Sequence, residues 1–320
     1  MNDKMKIVLI TQGVSRLVEP LVNSGHEVVG ILESMPRGYN GTTAWITVVL
    51  KKIYSLMNGR DTFLPDYCRK RGVKYTFIWK KNSKEIARWV ESLKPDLIVV
   101  FSMSQLLSSD ILKLPLFGVI NLHPSYLPSY RGANPDFWQY HDMEMNPGAT
   151  VHYVDAGEDT GDIIFQQRVH IPLGTKSPIR LDKLIGEVGV PLVLKAVDAI
   201  ARGDAPRTPQ PLQSPTARSR NLLPNEHTQI IDWAHWPIER VWHVLRGTEL
   251  WLNAIHQPKG LLAGQRWSVL DYEKTEIQQG DIGNVGKYKN KNCIFTRDGI
   301  IYVTMHFNIK RFALMFFNIN

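Results

Sequence analysis

The sequence predicts an α/β fold, in which a mostly parallel sheet with flanking helices precedes a smaller β-rich module. Short apolar runs rich in β-branched residues, such as 6–11 (KIVLIT) and 97–101 (LIVVF), are typical of strands buried in a parallel sheet. Segments with helical spacing of apolar residues lie between these runs, which is the order of a βαβ chain. Toward the carboxyl terminus glycines recur, and 292–296 with 299–303 indicates a β-hairpin.

Strands and helices alternate through most of the chain. The predicted strands cover residues 6–11, 26–32, 73–77, 97–101, 117–121, 150–154 and 163–169. The predicted helices cover residues 15–24, 45–57, 66–71, 83–93, a short stretch ending at 112, 134–141, 181–201 and 238–245. The turn after the first strand lacks a GxGxxG fingerprint, because Val14-Ser15-Arg16 follows Gly13. The sheet is therefore expected to be Rossmann-like but without an NAD site.

A proline-rich stretch marks the predicted domain boundary. Residues 206–215 contain four prolines, a composition typical of an extended linker. We therefore expect an N-terminal domain over 1–205, a linker over 206–220 and a C-terminal domain over 221–320. The hairpin and the recurring glycines predict that the last domain is β-rich and OB-like.

Composition bounds the class of protein. Of the 320 residues, 43% are hydrophobic and 21% are charged, as in ordinary globular proteins. The chain has no apolar run long enough to span a bilayer and no signal-peptide pattern at its start, so we expect a cytoplasmic protein without a membrane partner. Cys68 and Cys293 are far apart in the sequence, which predicts neither a disulfide nor a metal site.

The chain is basic, with a net charge of +8. Residues 206–320 hold 14 Lys and Arg against 9 Asp and Glu, a contribution of +5. A basic surface favours anionic partners, which range from nucleic acid to a nucleotide diphosphate. Net charge by itself does not choose among them.

Polar residues are concentrated where one predicted strand ends. Asn121 and His123 are two positions apart, so they share one face of an extended strand, while Leu122 faces the other way. The carboxyl ends of strands are where open α/β sheets carry their sites. A second polar turn, 155–162, holds four carboxylates, one of which could meet His123. Spacing alone does not say which carboxylate does so.

These residues belong to a longer ordered pattern. It reads Asn121-x-His123-Pro124-Ser125, Leu127-Pro128, Tyr130-Arg131-Gly132 and Asp159-Thr160-Gly161. The pattern resembles the folate-dependent formyltransferase family, whose members transfer a formyl group from N10-formyltetrahydrofolate to an amine. The resemblance covers residues 5–205 and extends more weakly to 305. It implies a Rossmann-like formyltransferase domain over the first part of the chain.

The resemblance assigns catalysis to Asn121, His123 and Asp159. Formyl transfer to an amine develops an oxyanion that needs preplaced donors. The Asn121 amide and protonated His123 can supply such donors, and a carboxylate beside the histidine is expected to raise the pKa of its ring. This chemistry requires no metal, and no ligand spacing suggests one.

The resemblance also implies binding residues. Main-chain groups of two segments are expected to hold the pterin ring of the cosubstrate N10-formyltetrahydrofolate: Met103, Ser104, Gln105 and Leu106, and Val154, Asp155, Ala156 and Gly157. Four side chains are expected to contact the amine acceptor: Tyr126, Arg131, Asn134 and Trp138.

The expected acceptor is a nucleotide-linked amino sugar, as in O-antigen and other cell-surface polysaccharide biosynthesis. The predicted linker holds only three arginines, which is few for an RNA-binding segment. Residues 11–13 (TQG) depart from the Gly-Thr-Pro loop of the methionyl-tRNA formyltransferases, and residues 131–138 (RGANPDFW) resemble the subfamily that acts on nucleotide-linked sugars. The alternatives are a methionyl-tRNA formyltransferase and a non-enzymatic folate- or nucleotide-binding module. The sugar prediction implies no nucleic-acid partner, and the sequence leaves a homodimer open.

Overall fold

The computed structural model describes residues 4–35, 63–79, 83–176, 178–249, 251–276 and 281–308. The strands are β1 (Lys6–Thr11), β2 (Glu27–Ser34), β3 (Lys74–Ile78), β4 (Leu97–Phe101), β5 (Val119–His123), β6 (Gly148–Tyr153), β7 (Ile163–Arg168), β8 (Arg266–Lys274), β9 (Val285–Tyr288), β10 (Lys291–Thr296) and β11 (Gly299–His306). The helices are α1 (Val18–Val22), α2 (Leu64–Arg71), α3 (Ser83–Leu93), α4 (Ser109–Leu112), α5 (Pro135–His141), α6 (Pro178–Arg202) and α7 (Ile238–Thr248). The helix predicted over 45–57 lies outside the described residues.

The chain divides into two compact units, each drawn from several segments. The first unit comprises Met1–Gly132, Gly148–Val169 and Ile185–Arg218, and the second comprises Ala133–Pro147, His170–Leu184 and Ser219–Asn320. The contiguous domain boundaries expected at 205 and 220 stay a prediction.

The first unit is built on a seven-stranded sheet with the order β3-β2-β1-β4-β5-β6-β7. The pairs from β3 through β5 are parallel, and β6 and β7 are added antiparallel. The prediction of a mostly parallel α/β sheet is therefore confirmed. Because the chain order reverses between β1 and β4, their carboxyl ends form a topological switch point, where open sheets bind ligands.

Helix α6 packs closely on β5 at Gly189. A Cβ atom at this position would lie 2.9 Å from Leu122 Cδ1 and 3.4 Å from the Cβ of Ala149. Leu122 is buried, as expected for the residue between Asn121 and His123. The face of β5 opposite to its polar residues is thus held by tight apolar packing.

The second unit carries the predicted β-rich module, which is confirmed as an antiparallel sheet with the order β8-β11-β10-β9. The predicted hairpin is β10–β11, with Thr296 paired to Gly299. Buried residues of α7, including Val241 and Val244, pack in one apolar cluster with Ile294 and Ile301 of the sheet. A helix on one face of an antiparallel sheet buries the apolar side of both elements.

Most predicted elements differ from the structure by a few residues at their ends, and two of these differences have a clear physical reason. The helix expected over 15–24 is shorter and begins at Val18, since Pro20 is accommodated only in the first turn of a helix. The strand expected to end at Asn121 continues to His123, because His123 pairs with Thr150 of β6. None of the described helices is long and apolar enough to cross a membrane.

The packing at Gly189 predicts a specific coupling to Leu122. Gly189→Leu should lower the free energy of unfolding by about 1–3 kcal/mol, since the added side chain overpacks the contact with Leu122. Leu122→Ala opens that space, so the double variant should lose less stability than the sum of the two single variants. Urea unfolding of the four proteins measures both quantities, and strict additivity would contradict the close approach.

Candidate active site

The polar face of β5 carries Asn121 and His123, as the alternation of a strand requires. His123 is buried and Asn121 is half-buried. The loop after β6 turns back so that Asp159 reaches both residues. Its Oδ2 lies 3.5 Å from His123 Nδ1, and its Oδ1 lies 3.5 Å from Asn121 Nδ2. The structure therefore brings together the three residues predicted to be catalytic.

The loop geometry explains why Asp159, among four candidate carboxylates, meets His123. Asp159 adopts a φ of 55°, in the left-handed region that Asp tolerates better than most residues. A Cβ at Gly161 would lie 1.9 Å from the Tyr153 carbonyl oxygen, so only glycine allows the loop to lie this close to β6. The backbone N–H of Gly132 donates to Asp159 Oδ2 at 2.9 Å, which holds the carboxylate toward β5.

The other three carboxylates of the loop have partners of their own. Asp155 Oδ1 accepts hydrogen bonds from the Gly157 N–H at 3.0 Å and from the Thr160 hydroxyl at 2.7 Å. Glu158 pairs with Arg218, and Asp162 lies 3.6 Å from Arg207. These contacts distinguish Asp159 from the other three carboxylates, which spacing in the sequence does not do.

Both ring nitrogens of His123 face acceptors. Nε2 lies 3.0 Å from the Tyr130 carbonyl oxygen, while Nδ1 faces Asp159. A carbonyl oxygen and a carboxylate both only accept, and the contact of Nε2 is the shorter of the two, so the proton of the neutral ring is assigned to Nε2. Nδ1 then carries no proton and can act as a base. The Asp159 carboxylate, 3.5 Å away, stabilises the positive charge that forms when Nδ1 takes up a proton.

The protonation state of His123 differs from the sequence-based expectation. Burial lowers the pKa of His123 below its usual value, and the Asp159 carboxylate opposes this shift without overcoming it. The expected effect of Asp159, which is to raise the pKa of His123, is present, but burial outweighs it because the His123 side chain is only 5% exposed. The protonated ring that was expected as an oxyanion donor is therefore not the resting form. The ring is accordingly neutral at pH 7.

Asp159 is held in its ionised form. Burial alone would raise its pKa, but attraction to the His123 ring in its protonated form, together with the contacts to His152 and the Gly132 N–H, outweighs burial. The pKa of Asp159 therefore lies well below its usual range. The site thus combines a neutral imidazole with a carboxylate anion, the pairing of a general base with the group that stabilises its protonated form.

His152 is a site residue that the sequence analysis missed. Its side chain is 2% exposed, and its Nε2 lies 3.5 Å from Asp159 Oδ1 and 3.2 Å from Asn121 Nδ2. Its Nδ1 donates to the Tyr153 carbonyl oxygen at 2.7 Å, so Nε2 of the neutral ring accepts from the Asn121 amide. Only the antiparallel register, which pairs Asn121 with His152, places this ring in the site.

The two segments predicted to bind the pterin ring flank one apolar cluster. Met103 and Val154 both pack against the cluster formed by β4, β5 and their neighbours. The Ser104 N–H donates to the Ser34 hydroxyl at 3.1 Å, which ties the segment after β4 to the end of β2. Gln105 is half-buried, whereas Leu106, Asp155, Ala156 and Gly157 are exposed. The segment 103–106 follows β4 directly and so lies at the topological switch point.

A cavity of about 640 Å³ lies next to the second of these segments. Its lining includes Val154 and Asp155, together with Leu112, Phe117 and Arg207. It does not include the three predicted catalytic residues or the segment 103–106. The cavity by itself therefore does not define the reaction centre.

Two of the four predicted acceptor residues lie in the first unit. Arg131 is buried, and its guanidinium donates to Gln210 Oε1 and to the carbonyl oxygens of Pro211 and Leu212. Tyr126 lies beneath the guanidinium of Arg168, with 4.0 Å between the ring centroid and Cζ. Both side chains thus have partners within the chain, and contact with an acceptor stays a prediction for each.

The other two predicted acceptor residues belong to the second unit. Asn134 immediately precedes α5 and has a φ of 57°. The indole N–H of Trp138 donates to the Arg220 carbonyl oxygen at 2.8 Å, and its ring packs edge-on against Phe137 and His141. Their role also stays a prediction. Within the described ranges, no group of three or more His, Cys, Asp or Glu side chains is placed to hold a metal ion.

Comparison with known proteins identifies the class to which this fold and site belong. A formyl transferase family model matches residues 69–197. The methionyl-tRNA formyltransferase of Alkaliphilus oremlandii (strain OhILAs) is 30% identical over 283 residues, which cover 88% of this chain and 84% of that protein. The chain belongs to the folate-dependent formyltransferase family.

One further relative and one solved structure extend the comparison. The methionyl-tRNA formyltransferase of Symbiobacterium thermophilum is 31% identical over 265 residues, covering 82% of this chain and 75% of that protein. The crystal structure of HypX from Aquifex aeolicus in complex with tetrahydrofolic acid superimposes with a TM-score of 0.57 at 18% identity. That match covers 94% of this chain and 44% of HypX, and it shows a shared fold.

The comparison overturns the predicted acceptor. Relatives about 30% identical over most of their length are methionyl-tRNA formyltransferases, which contradicts the expectation of a nucleotide-linked amino sugar. The same finding contradicts the expectation of no nucleic-acid partner. The physical reason for the error is that net charge averages over a whole surface, whereas phosphates are met by local groups of basic side chains.

The electrostatics of the site predict the titration of His123. Asp159→Asn removes the carboxylate that opposes burial, so the pKa of His123 should fall further below its usual value. An NMR pH titration of the histidine rings measures this shift, with His123→Gln assigning the resonance. Asp155→Asn, which removes a charge from the same loop, is the matched control and should leave the midpoint unchanged. A midpoint that does not move in Asp159→Asn would contradict the pairing.

Proposed function

We propose that this protein transfers a formyl group from N10-formyltetrahydrofolate to the amino group of methionyl-tRNA. The observation that carries the chemistry is the Asp159 carboxylate, which lies 3.5 Å from both His123 and Asn121. The observation that supports the acceptor is the similarity to methionyl-tRNA formyltransferases over more than three quarters of this chain.

His123 is proposed as the base that takes the proton of the attacking amine. Its Nδ1 is free in the neutral ring, because Nε2–H is engaged by the Tyr130 carbonyl oxygen. Burial keeps the ring neutral at pH 7 and therefore ready to accept a proton. The Asp159 carboxylate then stabilises the imidazolium, and His123 can return the proton to the departing folate nitrogen.

Asn121 is proposed as the neutral donor to the oxyanion that develops on the formyl oxygen. Its amide nitrogen lies 3.2 Å from His152 Nε2 and 3.5 Å from Asp159 Oδ1. The second distance is at the limit of a hydrogen bond, so this N–H can be redirected without losing a strong contact. Catalytic hydrogen bonds commonly tighten only once the reactants are bound.

The residues flanking the site fit a flat ring with polar edges. Met103 and Val154 offer partly buried apolar surface, and the exposed residues 155–157 offer polar groups. We propose that these two segments hold the pterin ring of N10-formyltetrahydrofolate, which supplies the formyl group when bound. The HypX neighbour binds tetrahydrofolic acid on a related fold, which supports a folate cosubstrate.

A local group of lysines in the second unit supports binding to an RNA backbone. Lys287, Lys289 and Lys291 are exposed and lie on the hairpin formed by β9 and β10. Lys289 pairs with Glu273 at 3.3 Å. Even with that carboxylate counted, three ammonium groups within five residues make a stronger local field than the +5 of residues 206–320 indicates. We propose that this hairpin contacts tRNA phosphates.

Formylation of methionyl-tRNA tests the proposed reaction. The protein should convert methionyl-tRNA and N10-formyltetrahydrofolate to formylmethionyl-tRNA, and His123→Ala and Asn121→Ala should each lower kcat by about 100-fold. His26→Ala is the control, because His26 immediately precedes β2 and so lies at the amino-terminal end of the parallel strands, opposite to the site. Turnover confined to a nucleotide-linked amino sugar would refute the acceptor, and full activity in both site variants, if folded, would refute the catalytic assignment.

Salt dependence tests the proposed contact with RNA. Neutralising three phosphates should make the affinity for tRNA fall by about 40-fold between 50 and 200 mM salt, since each contact adds about 0.9 to the logarithmic slope. Replacing Lys287, Lys289 and Lys291 with Ala should flatten that slope, whereas Lys113→Ala, at an exposed lysine of the first unit, should not. A slope equal to that of the wild type in the triple variant would place the RNA elsewhere.

A further inference from the structure

We propose that residues 208–218, here called the strap, position the catalytic aspartate, and that Gln210 is the positioning residue that holds Asp159 beside His123. Composition marks this stretch as a linker, yet it makes side-chain contacts with both loops of the site. The inference deepens the proposed function, on which its activity measurements rest. The titration described below does not depend on the acceptor.

Gln210 bridges the two loops with a single side chain. Its Nε2 donates to the carbonyl oxygens of Asp159 at 3.1 Å and Gly161 at 2.7 Å. Its Oε1 accepts from Arg131 Nη2 at 2.8 Å and from Nε at 3.3 Å. The orientation of this amide is determined by its neighbours, because the guanidinium only donates and the two carbonyl oxygens only accept.

Arg131 supplies the other half of the bridge. Its guanidinium also donates to the carbonyl oxygens of Leu212 at 3.1 Å and Pro211 at 2.8 Å. The next residue, Gly132, donates its backbone N–H to Asp159 Oδ2. Arg131 therefore connects the strap to the residue that touches the carboxylate itself, and the fork of an Arg side chain is not replaced by Lys in such a site.

The rest of the strap is fastened to the same two loops. Thr208 pairs with Ile163 through two backbone hydrogen bonds, and Arg218 forms an ion pair with Glu158. On the other side, the Ser214 hydroxyl donates to the Pro128 carbonyl oxygen at 2.8 Å, and the Tyr130 N–H donates to the Thr216 hydroxyl at 2.7 Å. The two ends of the strap thus contact the side of Asp159, its middle contacts the loop of Arg131, and Gln210 contacts both.

Both loops need external support at the residues that touch His123. Asp159 has a φ of 55° and Tyr130 has a φ of 59°, a region that residues other than glycine occupy only when their surroundings hold them there. Tyr130 provides the carbonyl oxygen for His123 Nε2, and Asp159 provides the carboxylate for Nδ1. The strap bonds directly to the backbone of each.

The proposal has a consequence for the charge around His123. The ionisable groups that face this ring are Asp159, His152 and Glu158, and Glu158 is itself paired with Arg218 of the strap. If Gln210 is removed, Asp159 is free to move away from the ring while the burial of His123 is retained. The pKa of His123 should then fall, as it should when the carboxylate is neutralised.

Gln210→Leu and Gln210→Glu test the bridge. Leu removes the hydrogen bonds to Arg131 and those to the carbonyl oxygens of Asp159 and Gly161. Glu keeps an acceptor for Arg131 but turns an oxygen toward the two carbonyl oxygens. Each variant should lower kcat by about 10- to 100-fold, the effect expected of misplacing a reacting group, with little change in KM. Gln213→Leu is the matched control, because Gln213 lies in the same strap and is exposed.

Two readouts separate positioning from a general structural role. The acid limb of the kcat/KM profile and the NMR midpoint of His123 should both move to lower pH in the Gln210 variants, as in Asp159→Asn. Adding Gln210→Leu to Asp159→Asn should then cause little further loss. Variants that lose thermal stability but keep the wild-type pH limb and His123 midpoint would overturn the proposal.

Arg131→Met completes a double-mutant cycle with Gln210→Leu. If Arg131 acts through Gln210, its loss should lower kcat and the two effects should not add. Additive effects, or a rise in the KM for methionyl-tRNA at unchanged kcat, would assign Arg131 to the acceptor and overturn the bridge. If wild-type protein formylates no methionyl-tRNA, the proposed function fails while the His123 titration still decides the role of Gln210.

Discussion

The site depends on one buried carboxylate that faces a buried imidazole. Asp159 meets His123, Asn121 and the Gly132 N–H within a space from which most water is excluded. Desolvation penalises a charge on either partner, and here it keeps the imidazole neutral while the surrounding donors keep the carboxylate ionised. Burial thus sets the protonation state of the imidazole, whereas the carboxylate keeps its charge in spite of burial. These are the states that an amine nucleophile requires of its base.

The arrangement of strands explains how these groups come together. Parallel strands β1, β4 and β5 deliver their carboxyl ends to one edge, and β6 then runs antiparallel to β5 so that His152 lies beside Asn121. The chain must then return over the sheet for Asp159 to reach β5, and Gly161 permits that return because no side chain separates it from Tyr153. Apolar packing beneath β5, at Leu122 and Gly189, keeps the opposite face closed.

The predicted acceptor was wrong because a net charge, which averages over many residues, does not report where the cations lie. The net charge of residues 206–320 and the arginine content of the linker were interpreted as too low for RNA, but phosphate binding depends on where cations lie. Lys287, Lys289 and Lys291 are brought to one hairpin, where Lys289 also pairs with Glu273. Arg131 and Arg218 have partners within the first unit. The similarity to methionyl-tRNA formyltransferases over most of the chain contradicts the prediction of a sugar acceptor.

The sequence by itself determined the α/β class, most strands, the hairpin of β10 and β11, and the family, because hydrophobic periodicity and an ordered motif are local properties. It also named Asn121 and His123 as neighbours on one face, since alternation along a strand is local. Only the tertiary structure chose Asp159 among four carboxylates, added His152 and engaged Gln210 with Arg131. Those contacts join residues 27 to 79 positions apart. They depend on burial, on the register of β5 against β6 and on the path of the loop after β6, none of which a local sequence pattern contains.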